Sequence, residues 1–267
     1  MIKIKKAYTA FAMVLAAFLL LTVTSCKKDD SPARETSYTL KTQDVLGVTG
    51  TVTFIETSST TSTITIKLSG APSGSHPAAL YSNSIAEGGT IVQVLNPVDA
   101  SGTSSTEVNS LTYNQLIVYD GFVKVVKSST EPNVILAQGD IGGNVLTALK
   151  KTYTMDTIGT FGVSGIATFE KRVNGNTLVT LDLSGVIAEE VYPAAIHVGS
   201  ITTTGPVTKT LSSVDGTTGK SYTNISKLNS GEVITYDTWL VYAGYINIYQ
   251  TAVAPNNIIC HGNIGAN

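Results

Sequence analysis

Three histidines are the residues of this chain whose side chains most readily hold a metal ion: His76, His197 and His261. Copper and zinc sites are built from several imidazole or thiolate ligands that converge on one point. The histidines lie in separate segments, and the cysteines are Cys26 and Cys260 alone. His197 and His261 are the weak candidates for metal ligands, but two ligands without a third make a poor site. We therefore predict packed or surface histidines and no cofactor.

A second candidate site is an aromatic face on a strand near the C-terminus. Alternation along the strand puts Tyr245, Asn247 and Tyr249 on one side and the two intervening isoleucines on the other. If the isoleucines face a core, the outer face is predicted to stack on sugar rings or to meet a protein partner. Trp239 is close in sequence and is included in this predicted ligand face. The alternative is that the face packs against a neighbouring domain.

The common catalytic motifs are missing from the sequence, which has no G-x-S-x-G elbow, no H-E-x-x-H pair and no glycine-rich phosphate loop. Cys260 lies in an apolar run, where a cysteine packs as a small residue. The chain has 17 basic and 19 acidic side chains, a formal net charge of −2. Nucleic-acid binding needs clustered Lys and Arg, so we exclude that class of partner. We expect a protein without enzymatic activity.

The first 25 residues indicate the compartment. Three lysines precede the uncharged apolar run 10–23, which is short for a membrane span and has the length of a signal-peptide core. The run ends in Val-Thr-Ser-Cys at 23–26, which resembles the lipobox of bacterial lipoproteins. That resemblance implies removal of residues 1–25 and acylation of Cys26, with the mature chain anchored to a lipid bilayer. The alternative is an ordinary secretory signal followed by a chance cysteine.

A polar tether is predicted at residues 26–35. Its start, Lys-Lys-Asp-Asp at 27–30, puts a short acidic run just behind the cysteine. This run resembles the export signal of Bacteroidota surface lipoproteins, which implies a surface-exposed position in the outer membrane. The alternative is a solvated tether that carries no export signal.

Residues 118–144 and 241–267 show that the chain contains a duplication. Aligned without a gap, the two segments are identical at ten of 27 positions, where average residue usage gives roughly one or two matches. These two segments lie 123 residues apart, whereas the segments before them repeat at an offset of 115 or 116 residues. The second copy therefore holds seven extra residues between Asp215 and Tyr236, in or near a loop.

Short segments with a period of two dominate both copies, and no segment of ten or more residues has a helical period. This pattern predicts an all-β chain of two tandem β-sandwiches. Asn174-Gly175 is a strong hairpin signal, because both residues tolerate a positive φ. The first copy has Ser59-Thr60 at the equivalent turn, which indicates an exposed hairpin tip that tolerates substitution.

Two β domains are predicted, at residues 36–146 and 150–267. Each copy has roughly 110 residues, which is enough to enclose a hydrophobic core. The connector between them is short and is not of low complexity. We expect the two domains to sit in a fixed or nearly fixed arrangement.

The second copy resembles the CHRD domain, a family first described in chordin and widespread in bacterial secreted proteins. The matching positions cover nearly all of this copy, and the first copy inherits the assignment through the repeat. The resemblance implies a Greek-key sandwich related to Cu,Zn superoxide dismutase for both halves. The matches are Ile196, His197 and Gly199, then Gly205-Pro206-Val207, then Tyr245-Ile246-Asn247-Ile248, and finally Pro255, Ile259 and Gly262.

The chain also departs from the CHRD pattern at polar positions. Ala195 stands in place of the family's first histidine, Tyr249 in place of the strand-end histidine, and His261 in place of the closing arginine. The polar cluster that relatives build from those residues is largely dismantled.

The sequence therefore predicts a membrane-anchored surface lipoprotein that acts in binding, adhesion or scaffolding without catalysis. The first alternative is a glycan-binding surface lipoprotein. The second is a degenerate metalloprotein with a superoxide-dismutase-like fold.

Overall fold

The computed structural model describes residues 33–251 and 253–267, and residues 34–267 form one compact unit. The predicted signal peptide at 1–25 and the lipid-attachment residue Cys26 lie outside the described residues. Within the described ranges, no helix has the length and hydrophobicity needed to cross a membrane.

Residues 35–141 form eight strands joined in one sheet, which we call the N-terminal sheet. The order of its strands is β5-β4-β7-β8-β1-β2-β3-β6. The strands are β1 (Glu35–Thr42), β2 (Thr49–Glu56), β3 (Ser62–Ser69), β4 (His76–Ser82), β5 (Ile91–Val98), β6 (Thr103–Val108), β7 (Gly121–Val126) and β8 (Ile135–Ile141).

Residues 146–265 form eight further strands that close into the C-terminal barrel. Read from β13, their order is β13-β12-β15-β16-β9-β10-β11-β14, which is the order of the N-terminal sheet with eight added to each number. The all-β prediction is confirmed, and so is the duplication at the level of strand order. The strands are β9 (Leu146–Thr157), β10 (Ser164–Arg172), β11 (Thr177–Ser184), β12 (Val191–Val198), β13 (Val207–Asp215), β14 (Lys220–Ile225), β15 (Ala243–Thr251) and β16 (Ala254–Gly265).

Each half has its own hydrophobic core, because alternate residues of its strands point inward. Val52, Phe54, Ile64 and Ile66 are at most 1 % exposed in the N-terminal sheet. Phe169 and its neighbours form a separate cluster in the barrel. The partners across the strands are mostly β-branched or aromatic, which suits a half-buried pleated surface.

In both halves a backbone-to-side-chain hydrogen bond joins two equivalent strands, β5 to β6 in the N-terminal sheet and β13 to β14 in the barrel. The backbone N–H of Asn96 on β5 donates to Oγ1 of Thr106 on β6 at 2.8 Å. Ser212 on β13 donates in the same way to Thr223 on β14 at 2.9 Å. Among the described residues, a single backbone pair joins β13 to β14. The two halves differ little here, because in the N-terminal sheet the N–H of Asp99, next to β5, donates to the carbonyl of Thr103 on β6 at 2.9 Å.

Two four-residue helices occupy the same place in the two halves, α1 (Tyr113–Leu116) and α2 (Tyr236–Trp239). Each begins after a threonine whose hydroxyl accepts a hydrogen bond from the backbone N–H three residues later. Each ends on a fully buried residue, Leu116 or Trp239. The extra residues of the second copy lie mainly in the loop 226–235 before α2, as the sequence predicted.

The hairpin between β10 and β11 forms at Asn174-Gly175 as predicted, and Asn174 is exposed at its tip. Gly175 donates to the carbonyl of Arg172 at 3.0 Å and has φ +85°, whereas Asn174 is not in the positive-φ region. This is a three-residue loop that needs glycine at one position only. Ser59 and Thr60 are exposed in the first copy, as expected, but the Asn174 tip contacts the N-terminal sheet.

Three carboxylates of the N-terminal half accept hydrogen bonds from side chains of the barrel, and we call this set the junction. Arg172 is 1 % exposed and also donates to the backbone carbonyl of Asn144. These contacts support the expected fixed arrangement of the two halves. The three pairs are Arg172 Nη1 with Asp140 Oδ2 at 2.7 Å, Asn174 Nδ2 with Asp120 Oδ1 at 2.8 Å, and Asn224 Nδ2 with Glu87 Oε2 at 3.1 Å.

Candidate functional site

A cavity of about 630 Å³ lies on the outer face of the barrel, over β12, β13 and β15, and we call it the site cavity. Ile246 and Ile248 are fully buried in the barrel core, so the alternate residues of β15 point away from the core, as predicted. Tyr245, Asn247 and Tyr249 all line the site cavity. The sequence thus predicted correctly which side chains of β15 point away from the core.

His197 on β12 is held between two partners at the edge of the site cavity. Its Nδ1 is 2.8 Å from the carbonyl oxygen of Gly205, and its Nε2 is 2.6 Å from the hydroxyl of Tyr249. A carbonyl only accepts, so Nδ1 carries the proton in the neutral ring and Nε2 accepts from Tyr249. The phenol oxygen of Tyr249 then keeps lone pairs for another donor.

Tyr245 lies beneath the loop between β12 and β13. Its ring stacks on His197, with the centroids 4.8 Å apart and the planes at 22°, and its hydroxyl accepts from the N–H of Gly205 at 3.1 Å. Only 2 % of Tyr245 is exposed. The two rings therefore cover each other, and the predicted face is a pocket and not an open aromatic platform for sugar stacking.

Asn247 carries a buried polar atom without a partner. The residue is 4 % exposed, and its Oδ1 has no hydrogen-bond partner among the described residues. The pKa of the neighbouring Tyr249 is raised, mainly by burial, while a hydrogen bond from the Asn247 side chain acts in the opposite direction. That hydrogen bond uses the amide nitrogen as donor and leaves Oδ1 unpaired. A buried acceptor of this kind costs about 1–3 kcal/mol.

His197 and His261 do not come together. His197 pairs with Tyr245 across one edge of β15, and His261 pairs with Asn247 across the other edge. Strand spacing and rise per residue then put their Cα atoms about 12 Å apart. The described part of the chain contains no group of three or more His, Cys, Asp or Glu side chains arranged to hold a metal ion.

Trp239 was wrongly included in the predicted ligand face. It is fully buried in the barrel core, with ring centroids 5.9 Å from Phe169 and 4.9 Å from Tyr242. The reason is that α2 turns its last residue inward. The repeat contained a signal for this, because the residue at the same place in the first copy is Leu116, which is also fully buried.

Cys260 packs as the sequence predicted and does not carry chemistry. It is fully buried, as is its counterpart Ala137. Burial raises the pKa of Cys260 to about 12, and the negative charge of Asp156 acts in the same direction. The thiolate is the reactive form of cysteine, so this thiol is inert at neutral pH.

Sequence reasoning missed the residues that turn the aromatic face into a pocket. Gly205 and Thr204 come from the loop before β13, and Pro193, Ala195 and Thr210 form other parts of the wall. Gly205 was visible only as part of a turn motif. Its contact with the rings depends on how the loop folds back, which strand alternation does not report.

The N-terminal sheet repeats the ring pair but not its surroundings. Tyr81 and Phe122 stand where the barrel has His197 and Tyr245, and their rings stack with centroids 4.9 Å apart. Lys124 stands at the place of Asn247, and its ammonium nitrogen lies 4.3 Å from the centre of the Tyr81 ring.

Comparisons with known proteins assign no family to this chain. No family model, no curated protein and no solved structure matches it. The CHRD resemblance and its Greek-key topology therefore stay predictions, and the case for a function depends on the residues of the site cavity.

Proposed function

We propose that the protein is a surface lipoprotein of the outer membrane, anchored through acylated Cys26, whose C-terminal barrel is a non-enzymatic binding module. The lipobox-like segment at 23–26 supports the anchor. The site cavity supports the binding role, because ligand sites are concave, mostly apolar and equipped with a few polar groups.

The unpaired Oδ1 of Asn247 is the observation that carries the binding role. Buried polar atoms are nearly always paired, and an exception calls for an explanation. The atom is shielded from solvent in this structure. Asn247 lines the site cavity, so a turn of its side chain toward the cavity brings the amide oxygen to a ligand there. We infer a ligand with an apolar body and a hydrogen-bond donor.

A pocket ligand is favoured over the glycan alternative by the position of the rings. Sugar stacking needs an open aromatic face, and Tyr245 presents almost none of its ring to solvent. The metalloprotein alternative has no converging ligands among the described residues. An elemental analysis of the purified protein that finds no stoichiometric copper or zinc would end the metalloprotein alternative.

The anchor is tested by replacing Cys26 with alanine. The wild-type protein, expressed in a bacterium with labelled palmitate, is expected to carry the label and to sediment with membranes, because acyl chains bury many methylenes. Cys26→Ala should lose both properties. Cys260→Ala is the matched control, since Cys260 is buried in the barrel and should leave the label unchanged. Equal labelling of the wild type and Cys26→Ala would rule out the anchor.

The binding role is tested by replacing Asn247 with leucine. This change removes an unpaired buried acceptor and also the amide donor to Tyr249, so the two effects offset and the free energy of unfolding is expected to change by less than about 1 kcal/mol. Asn263→Leu is the matched control on the neighbouring strand. Its Oδ1 accepts from the N–H of Ile201 at 3.0 Å, and its loss should cost about 1–3 kcal/mol.

Urea unfolding followed by circular dichroism measures both variants. A stable Asn247→Leu beside a weakened Asn263→Leu shows that Asn247 is not kept for folding. An Asn247→Leu variant destabilised as much as Asn263→Leu would show a structural role and would remove the main support for a binding site.

A further inference from the structure

Because the chain is duplicated, the site cavity of the barrel can be compared with the equivalent outer face of the N-terminal sheet. Strand pairing is the same on both sides: Ala79 pairs with Lys124, and Ala195 pairs with Asn247. The stacked rings follow at the next pair on the same face, Tyr81 with Phe122 in the N-terminal sheet. Lys124 and Asn247 are therefore equivalent positions on equivalent outer faces.

The N-terminal sheet places its own alkylammonium group on this face. Lys124 extends over Tyr81 with Nζ 4.3 Å from the ring centre, a distance at which the ring attracts a cation. Asparagine is shorter than lysine, and in the barrel the corresponding residues line the site cavity. The barrel thus has a cavity where the N-terminal sheet has a lysine side chain.

The polar groups of the site cavity suit the same kind of head group. Asn247 Oδ1 has no donor and meets a ligand when its side chain turns toward the cavity, a turn that also frees the phenol oxygen of Tyr249 to accept. An ammonium offers three donors and no acceptor. None of the described residues that line the cavity is an Asp, Glu, Lys or Arg, and both ring nitrogens of His197 are held, by Gly205 and Tyr249.

We propose that the site cavity binds a primary alkylammonium group, with the nitrogen near Asn247 and Tyr249 and the aliphatic stem along the apolar wall. The ligand is either the lysine side chain of a partner protein or a free alkylamine. This inference rests on the proposed binding role and specifies its chemistry. Lys124 is the intramolecular example of the ligand.

Calorimetric titration with n-butylammonium chloride tests the proposal, with n-butanol as the uncharged probe of similar length. The purified protein is expected to bind one butylammonium and to bind butanol at least tenfold more weakly, because butanol lacks two of the three donors. Nα-acetyl-lysine methylamide, titrated in parallel, represents a chain-borne lysine. Binding of that probe indicates a protein partner, and binding of butylammonium alone indicates a free amine; either result supports the site.

Exchanging the two equivalent residues gives the sharper test. Asn247→Lys makes the barrel resemble the N-terminal sheet and should weaken butylammonium binding at least tenfold, since the new side chain occupies the cavity. Lys124→Asn makes the N-terminal sheet resemble the barrel and should raise the stoichiometry from one to two. Tyr249→Phe keeps the ring and removes an acceptor, so it should weaken binding even if Asn247→Lys fails to fold.

The proposal is overturned if the wild type binds neither amine, or if it binds butanol as tightly as butylammonium. It is also overturned if a folded Asn247→Lys binds as the wild type does. These failures are distinct from failure of the binding role itself, which the stability of Asn247→Leu reports without any ligand.

Discussion

Replacing Arg172 with methionine is expected to lower the free energy of unfolding by about 3–5 kcal/mol, the usual cost of breaking a buried ion pair. Methionine keeps the apolar stem but leaves the Asp140 carboxylate, whose side chain is 17 % exposed, without its cation. The carbonyl of Asn144 loses its donor at the same time. Because the lost contacts join the two halves, differential scanning calorimetry should show a broader or split transition.

Lys171→Met is the matched control for Arg172→Met. Lys171 is the preceding residue, and its Nζ lies 2.6 Å from Asp237, but the two side chains are 25 % and 65 % exposed. A solvent-exposed pair contributes about 0–1 kcal/mol. If both variants lost the same free energy of unfolding, burial would not make the Arg172–Asp140 ion pair any stronger than an exposed one. The double variant Arg172→Met/Asp140→Asn should recover part of the loss, because it removes the uncompensated charge.

Replacing Trp239 with alanine is expected to cost about 3–5 kcal/mol, as for other large aromatic residues removed from a core. Trp239 is fully buried and contacts Phe169 and Tyr242. Circular dichroism in urea measures the loss. Trp239→Leu should cost less, because leucine is the residue that the N-terminal sheet uses at the same place.

Val241→Ala is the control for this prediction, since Val241 is 72 % exposed and two residues away. Its effect should lie within about 0.5 kcal/mol of zero. A Trp239→Ala variant as stable as Val241→Ala would contradict the core position of the tryptophan.

Strand periodicity explains which parts of this molecule were predictable. The alternation around Ile246 and Ile248 is local, so it placed Asn247 on the outer face without knowledge of the rest of the fold. The duplication likewise predicted one strand order for both halves. Trp239 was misplaced because a helix of four residues has too few positions to show a period.

The contacts at the junction and the closed form of the barrel could not be predicted from the pattern of apolar and polar residues. Arg172 and Asn174 act through carboxylates that lie 32 and 54 residues earlier in the chain. Such contacts depend on how one half docks on the other, and alternation within a strand does not encode docking. Sandwiches and barrels share the same alternation, so the sequence pattern did not distinguish the closed barrel from a sandwich.

Trp239 is the chain's one tryptophan, and it lies in the core of the C-terminal barrel. Excitation at the red edge of the indole band therefore produces emission from one half of the molecule, while the other half is spectroscopically silent. Ellipticity, in contrast, sums over the strands of both. A lag between the two signals on heating or in denaturant gives the order in which the duplicated halves melt, with no label and no substitution.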